Sequence, residues 1–234
     1  MLEAKELVAG YGAIPILHGL NLSIADNEYV GILGHNGMGK STLMQTLIGH
    51  IRPMSGSIIM DGNDITGEGS HRRVKKQRIG YVPQGREIFP ALTVRENLLM
   101  GALSGADRNR NIVNEVLKDF PRLVPLLDRN GGALSGGEQQ LLAIARCLCG
   151  KPRVMLLDEP TEGIQPSIID EILDLLLALR KRTSISIILV EQNLDFIQAL
   201  SDRVLIMQRG EITKTIAPEH LHDPAVISEF VGMA

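Results

Sequence analysis

Gly34-His35-Asn36-Gly37-Met38-Gly39-Lys40-Ser41-Thr42 is the stretch that decides the fold. It fits the phosphate-loop pattern G-x-x-x-x-G-K-[ST]. The apolar run Tyr29-Val30-Gly31-Ile32-Leu33 leads straight into it and reads as a short strand. After it, Leu43, Leu47 and Ile48 fall on one face of a helix over 40–48. Strand, glycine-rich loop and helix in that order is the context the pattern needs. Glycine is wanted where backbone must adopt φ > 0 and come close to phosphate, and Gly34, Gly37 and Gly39 meet that need. The pattern assigns Lys40 to the β- and γ-phosphates and Ser41 to Mg²⁺.

A second anion cradle lies well downstream, at Leu134-Ser135-Gly136-Gly137-Glu138-Gln139. Ser135 and Glu138 form an S-x-x-E capping box for a helix over 138–148, with Gly150 ending it. The start of such a helix directs free N–H groups and a positive dipole end at an anion. No basic residue lies within this stretch. A third segment, Val154-Met155-Leu156-Leu157-Asp158-Glu159, places two acids at the end of a buried strand. Asp158 is placed to hold Mg²⁺ through water, and Glu159 to polarise an attacking water.

The remaining pattern is mostly α/β. Strands are expected at 2–8 and 16–24 as an antiparallel pair, at 57–60 before the Asp61-Gly62 turn, and at 79–82 before Pro83-Gln84. From about 90 to 129 the reading turns helical, with helices at 94–103 and 109–120 around a polar loop at 104–108. Pro166 opens a helix over 167–182 at its first turn. Ser186–Val190 reads as a strand, Leu194–Leu200 as a helix, and 204–207 with Glu211–Ile216 as a hairpin about Arg209-Gly210. One domain over 1–234 is expected. Its α/β core and β subdomain take about 1–85 and 150–234, and a helical subdomain takes about 86–149.

Composition narrows the function. A formal net charge of −3 over 234 residues argues against a nucleic-acid partner. No apolar run approaches the roughly 20 residues that span a bilayer. The start Met-Leu-Glu-Ala-Lys-Glu-Leu lacks a signal-peptide pattern, so an intracellular, soluble chain is expected. Cys147 and Cys149 lack zinc-site spacing and read as packing residues. The six histidines are scattered. His71-Arg72-Arg73-Val74-Lys75-Lys76-Gln77-Arg78 is the one basic cluster, without interleaved aromatics, and reads as a solvated face.

The three segments at 34–42, 134–139 and 156–161, in this order, resemble the ATP-binding subunit of an ABC transporter across essentially the whole chain. The resemblance implies an α/β P-loop NTPase core of ABC ATPase type, with a small antiparallel β subdomain and an inserted helical subdomain. It implies ATP and Mg²⁺ as cofactors. His35, Asn36, Gly37, Met38, Gly39, Lys40, Ser41 and Thr42 would cradle the phosphates, with Tyr11 stacking on adenine. Ser41, Gln84 and Asp158 would serve the metal, and Gln84 would link the core to the helical lobe. Glu159 would be the catalytic base, with Lys40, Gln84 and Gln192 completing the catalytic set. In that family two such domains face head to tail, so Ser135, Gly136, Gly137 and Glu138 would bind the partner's ATP.

Two positions depart from the family. Gln192 stands where many relatives have His, and Gln165 where many have Asp. A neutral amide can hydrogen-bond a γ-phosphate but cannot become cationic. A weaker site and a site tuned by a different partner are both open. The stretches 82–90, 161–166 and 190–193 are similar to the branch that imports branched-chain amino acids, or urea and short amides, with the Glu162-Gly163-Ile164-Gln165-Pro166 form closer to the urea subunits. That branch implies a heterodimer with a second ATP-binding subunit, permease subunits that dock near 86–98, an extracytoplasmic solute-binding protein, and a peripheral place at the cytoplasmic face of the inner membrane. The competing classes are import of another small polar solute, a soluble non-transport ABC ATPase and a small-molecule P-loop kinase. Fractionation separates the soluble classes from the transport class.

Overall fold

The apolar runs around the phosphate loop become the middle of a six-stranded sheet. The structure, a computed structural model, describes residues 1–105 and 111–224. In chain order the elements are β1 (Leu2–Tyr11), β2 (Ile14–Ile24), β3 (Tyr29–Leu33), α1 (Lys40–Ile48), β4 (Ser55–Met60), β5 (Asn63–Asp64), α2 (Ser70–Lys75) and β6 (Ile79–Val82). Then come α3 (Val94–Ser104), α4 (Ile112–Leu117), α5 (Gly136–Cys149), β7 (Val154–Asp158) and α6 (Pro166–Arg182). The chain continues through β8 (Ser186–Val190), α7 (Leu194–Leu200), β9 (Arg203–Gln208) and β10 (Glu211–Ile216).

The large sheet runs β10-β9-β3-β8-β7-β6. All its neighbouring pairs are parallel except the edge pair β10–β9. A second sheet, β2-β1-β4-β5, is antiparallel throughout. Every residue of β3, β7 and β8 is buried, because the large sheet is covered on both faces. Alternation along β7 shows how. Val154 and Leu156 face a core shared with α1 and the antiparallel sheet. Met155 and Leu157 face the other core, shared with α5, α6 and α7. That second core runs without a break into the helical region through Leu98, Val113, Leu117 and Phe120.

Differences from the sequence reading have local causes. β1 continues past residue 8 to Tyr11, because Tyr11 pairs with Ile14 across a tight turn at Gly12. The helix expected at 109–120 is short. It runs Ile112–Leu117 and passes into a 3-10 turn, Pro121–Leu126, where Pro121 and Pro125 remove backbone donors. Parts of that helix and of the 104–108 loop lie outside the described residues. The basic cluster is not wholly a solvated face. Arg73 is 0% exposed and donates to the carbonyls of Thr46, Leu47, Ile65 and Thr66. It thereby satisfies carbonyls at the end of α1 that would otherwise be orphaned. Cys149 is buried and Cys147 half-buried, and burial pushes both thiols up to about 12. No helix among the described residues is long and apolar enough to cross a membrane.

Candidate functional site

Four adjacent parallel strands, β3, β8, β7 and β6, each deliver chemistry from their carboxyl ends, the edge at which open α/β sheets bind ligands. β3 leads into the glycine-rich loop, β6 into Gln84, β7 into Glu159, and β8 into Glu191 and Gln192. Residues far apart in the chain therefore meet because their strands are neighbours.

The loop is shaped by its glycines. Gly37 and Gly39 hold φ of 82° and 99°. A Cβ at Gly37 would meet nothing within 4 Å, so the left-handed backbone and the open space beside it favour glycine there, not packing. Gly39 caps α1 with no side-chain bond, which leaves first-turn amides free for an anion. Lys40 is 4% exposed. Its Nζ donates to the carbonyls of Gly34 (2.7 Å) and His35 (3.0 Å) and lies 3.5 Å from Glu159 Oε1. Met38 anchors the loop from behind: its carbonyl accepts from Gly210 N and its Sδ from Arg209 N. Thr42 is buried in α1 and its carbonyl accepts from Thr46 Oγ1.

Ser41 Oγ donates to Asp158 Oδ1 at 3.3 Å, and the Tyr81 hydroxyl donates to Oδ2 at 3.2 Å. Burial pushes the Asp158 carboxyl up, the Ser41 and Tyr81 hydroxyls partly offset this, and neighbouring Glu159 adds to the rise. The Tyr81 phenol is also pushed up, by burial and by the Asp158 carboxylate. A cation beside Asp158 would relieve its unfavourable ionisation. The hydroxyl and carboxylate here, with the side-chain carbonyl of Gln84 just past the end of the adjacent strand β6, form a hard-oxygen donor set that suits Mg²⁺.

Glu159 is the hub. Its φ is 47°, an uncommon conformation for a side-chain-bearing residue and one found at functional sites, and its N–H donates to Val190 O at 2.9 Å. Gln192 Nε2 donates to Glu159 Oε1 at 3.0 Å and to Asn36 Oδ1 at 3.0 Å. Gln84 Nε2 donates to Glu159 Oε2 at 3.4 Å and to Glu162 Oε2 at 2.9 Å. A carboxylate, an ammonium and two amides thus converge at the mouth of a phosphate loop, a set able to bind a polyphosphate and activate water against it.

Two groups of expected site residues stand outside this hub. Tyr11 is 54% exposed at the end of β1, its hydroxyl donating to Gln45 on α1. Ser135, Gly136, Gly137 and Glu138 form the start of α5, with Ser135 as its cap. Glu138 accepts from Ser135 N (2.7 Å) and Oγ (2.8 Å), and the Ser135 N–H holds its carboxyl below the usual range. A Cβ on Gly137 would sit 2.9 Å from Ile168 on α6, so this turn is packed tightly against its neighbour. Among the described residues no hydrogen bond or ion pair joins this segment to the phosphate loop. Tyr81, Glu162 and Glu191 are site neighbours that sequence motifs gave no role. Each stands beside a motif residue, but only strand order brings it into contact.

A model of the family described as ABC transporter matches residues 17–162. The chain is 40% identical over 213 residues to the high-affinity branched-chain amino acid transport ATP-binding protein BraG of Pseudomonas aeruginosa, covering 91% of each. It is 36% identical to the "Probable branched-chain amino acid transport ATP-binding protein LivF" of Archaeoglobus fulgidus, covering 91% of this chain and 90% of that protein. Among solved structures, the dimeric post-hydrolysis state of the ATP-binding cassette MJ0796, bound to ADP and Pi, is similar with a TM-score of 0.83 at 26% identity. It covers 93% of this chain and 99% of that one.

Proposed function

Because the chain belongs to the ABC transporter family, we propose that it is the ATP-hydrolysing subunit of a membrane importer for branched-chain amino acids, and one half of an unequal ATPase pair. The observation that carries the activity is Glu159 within reach of Lys40, Gln84 and Gln192 at the mouth of the glycine-rich loop.

In this reading the amides of 35–42 cradle the phosphates of ATP, and Tyr11 stacks on its adenine. Lys40 exchanges the Gly34 and His35 carbonyls for the β- and γ-phosphates. Ser41, Asp158 and Gln84 hold Mg²⁺, which when bound supplies positive charge to the phosphates. Glu159 accepts a proton from the water that attacks the γ-phosphorus as the bridging bond to ADP breaks. Gln192 hydrogen-bonds the γ-phosphate in place of the family's histidine. Ser135, Gly136, Gly137 and Glu138 clamp ATP held by the partner. Residues 86–149 act as a helical subdomain that moves the permease subunits, while 1–85 and 150–234 form the nucleotide-binding core. The chain sits at the cytoplasmic face of the membrane through those permeases, and a solute-binding protein delivers the cargo.

The names of the two relatives favour branched-chain amino acids as cargo. Urea rests on the stretch 162–166 alone. The test is ATP hydrolysis by the assembled complex with its binding protein. Leucine should stimulate it and urea should not, and the reverse result moves the cargo to urea. With the partner's catalytic base also replaced, so that only this chain's site turns over, Glu159→Gln should lower the remaining rate by about 10²–10⁴-fold while ATP binding persists. Undiminished hydrolysis by that variant would remove Glu159 from the catalytic role.

A further inference from the structure

Glu191 takes no part in the proposed reaction, yet it is a carboxylate only 2% exposed. Its Oε1 accepts the Thr161 N–H at 2.8 Å. Its Oε2 accepts the N–H groups of Gln192 (2.9 Å) and Asn193 (3.1 Å). Its own N–H donates to Ile32 O, at the end of the strand that feeds the glycine-rich loop. Among the described residues no cation lies within ion-pair distance of it, so backbone amides alone compensate the charge. Burying a carboxylate is costly, and here three well-directed donors offset the cost. An apolar strand end would avoid that cost altogether, so the charge points to a task.

The task is visible in what it joins. On one side is the loop that leaves Glu159, and on the other is the segment that begins with Gln192. The side chains of those two residues meet at 3.0 Å. Glu159, Pro160, Thr161, Glu191 and Gln192 therefore close a ring in which Glu191 is the strut. No shorter or neutral group does this work. Threonine cannot reach both segments. Glutamine has one acceptor and would turn its NH₂ against an N–H donor on one side.

We propose that Glu191 is a positioning residue for hydrolysis: it fixes the separation of the 159–165 loop from residues 192–193, so that Glu159 and Gln192 address the same γ-phosphate. This rests on the reading of Glu159 and Gln192 given above. Groups that orient a reacting side chain are worth about 10–100-fold when lost. In an assembled complex whose partner base is replaced, so that only this chain's site turns over, Glu191→Gln should lower kcat by about that factor, with KM for ATP within about 3-fold of that background.

A fold defect alone would not produce the second signature. Gln192→Ala should cost much less in the Glu191→Gln background than in wild type, because both changes release the same contact. Unchanged kcat, a raised KM with intact kcat, or strictly additive losses would each overturn the proposal. If Glu191→Gln fails to assemble, Glu191→Asp carries the test. It keeps the charge with shorter reach, so kcat should fall with KM retained, and wild-type kcat would overturn the proposal. Failure of the underlying reading shows separately, as hydrolysis that survives Glu159→Gln in that same background.

Discussion

Asp158 shows what the site costs the fold. Burial raises its carboxyl more than the Ser41 and Tyr81 hydroxyls lower it, and Glu159 adds to the rise. The folded protein therefore keeps this proton to a higher pH than the unfolded chain does. Stability that is present below the ordinary carboxylate range is lost as pH rises through the folded-state value. Asp158→Asn removes the ionisation, keeps an oxygen for one hydroxyl and turns its NH₂ to the oxygen of the other. Without nucleotide it should raise Tm at pH 7 by on the order of 2–4 °C, equivalent to about 1 kcal/mol in a chain of this size. The gain should shrink toward pH 4, and hydrolysis should fall at every pH. Calorimetry of the two proteins across that range checks the sign, and a gain that grows on acidification would refute it. Lys40, Ser41, Asp158 and Glu159 were legible in the sequence because motif spacing constrains them locally. Tyr81 and Glu191 were not, since their partners are set by which strands lie side by side.

At the scale of elements, the same capping device occurs twice with different consequences. Thr93 and Glu96 cap α3, and Ser135 and Glu138 cap α5, each as a complete capping box. Losing either hydroxyl should cost about 1 kcal/mol of stability. Thr93→Ala should stop there. Ser135→Ala should also lower ATP hydrolysis in the assembled complex, because in the proposed reading that turn also receives a phosphate. Equal Tm losses with unequal kcat losses are the expected pair of results, and equal kcat losses would reduce 134–139 to a helix start. Element boundaries followed how local their causes were. β3, α1, β8 and α7 match their sequence reading to the residue, since buried runs and clear caps bound them. α4 does not, because Pro121 and Pro125 tighten the chain after Leu117. The burial of Arg73 was illegible for another reason. A charged run reads as a surface until the end of α1 and the turn after β5 each supply two carbonyls for one guanidinium.

Across the whole molecule, the proposed reading gives the chain two half-sites. The glycine-rich loop and the hub at Glu159 lie together, while the α5 turn is held by its own capping box and its packing on α6. In the proposed pair, this chain's loop is completed by the partner's turn, and this chain's turn completes the partner's loop. Changes should therefore group by site and not by chain. Ser135→Ala and loss of the partner's catalytic base strike one shared site, so combining them should cost little more than the worse of the two. Ser135→Ala and Glu159→Gln strike different sites, so their effects on hydrolysis should be independent. In the proposed pair the sites are also unequal in chemistry. Gln192 offers a γ-phosphate a neutral amide and can never become a cation as imidazole can. Glu159→Gln should then remove less of the pair's total hydrolysis than the same change at the partner's base. Steady-state rates of the assembled complex carrying each single change and each combination decide the matter. Equal losses from the two base changes would make the sites equivalent. Independence of Ser135→Ala from the partner's base would mean that the two cradles do not face each other across the pair.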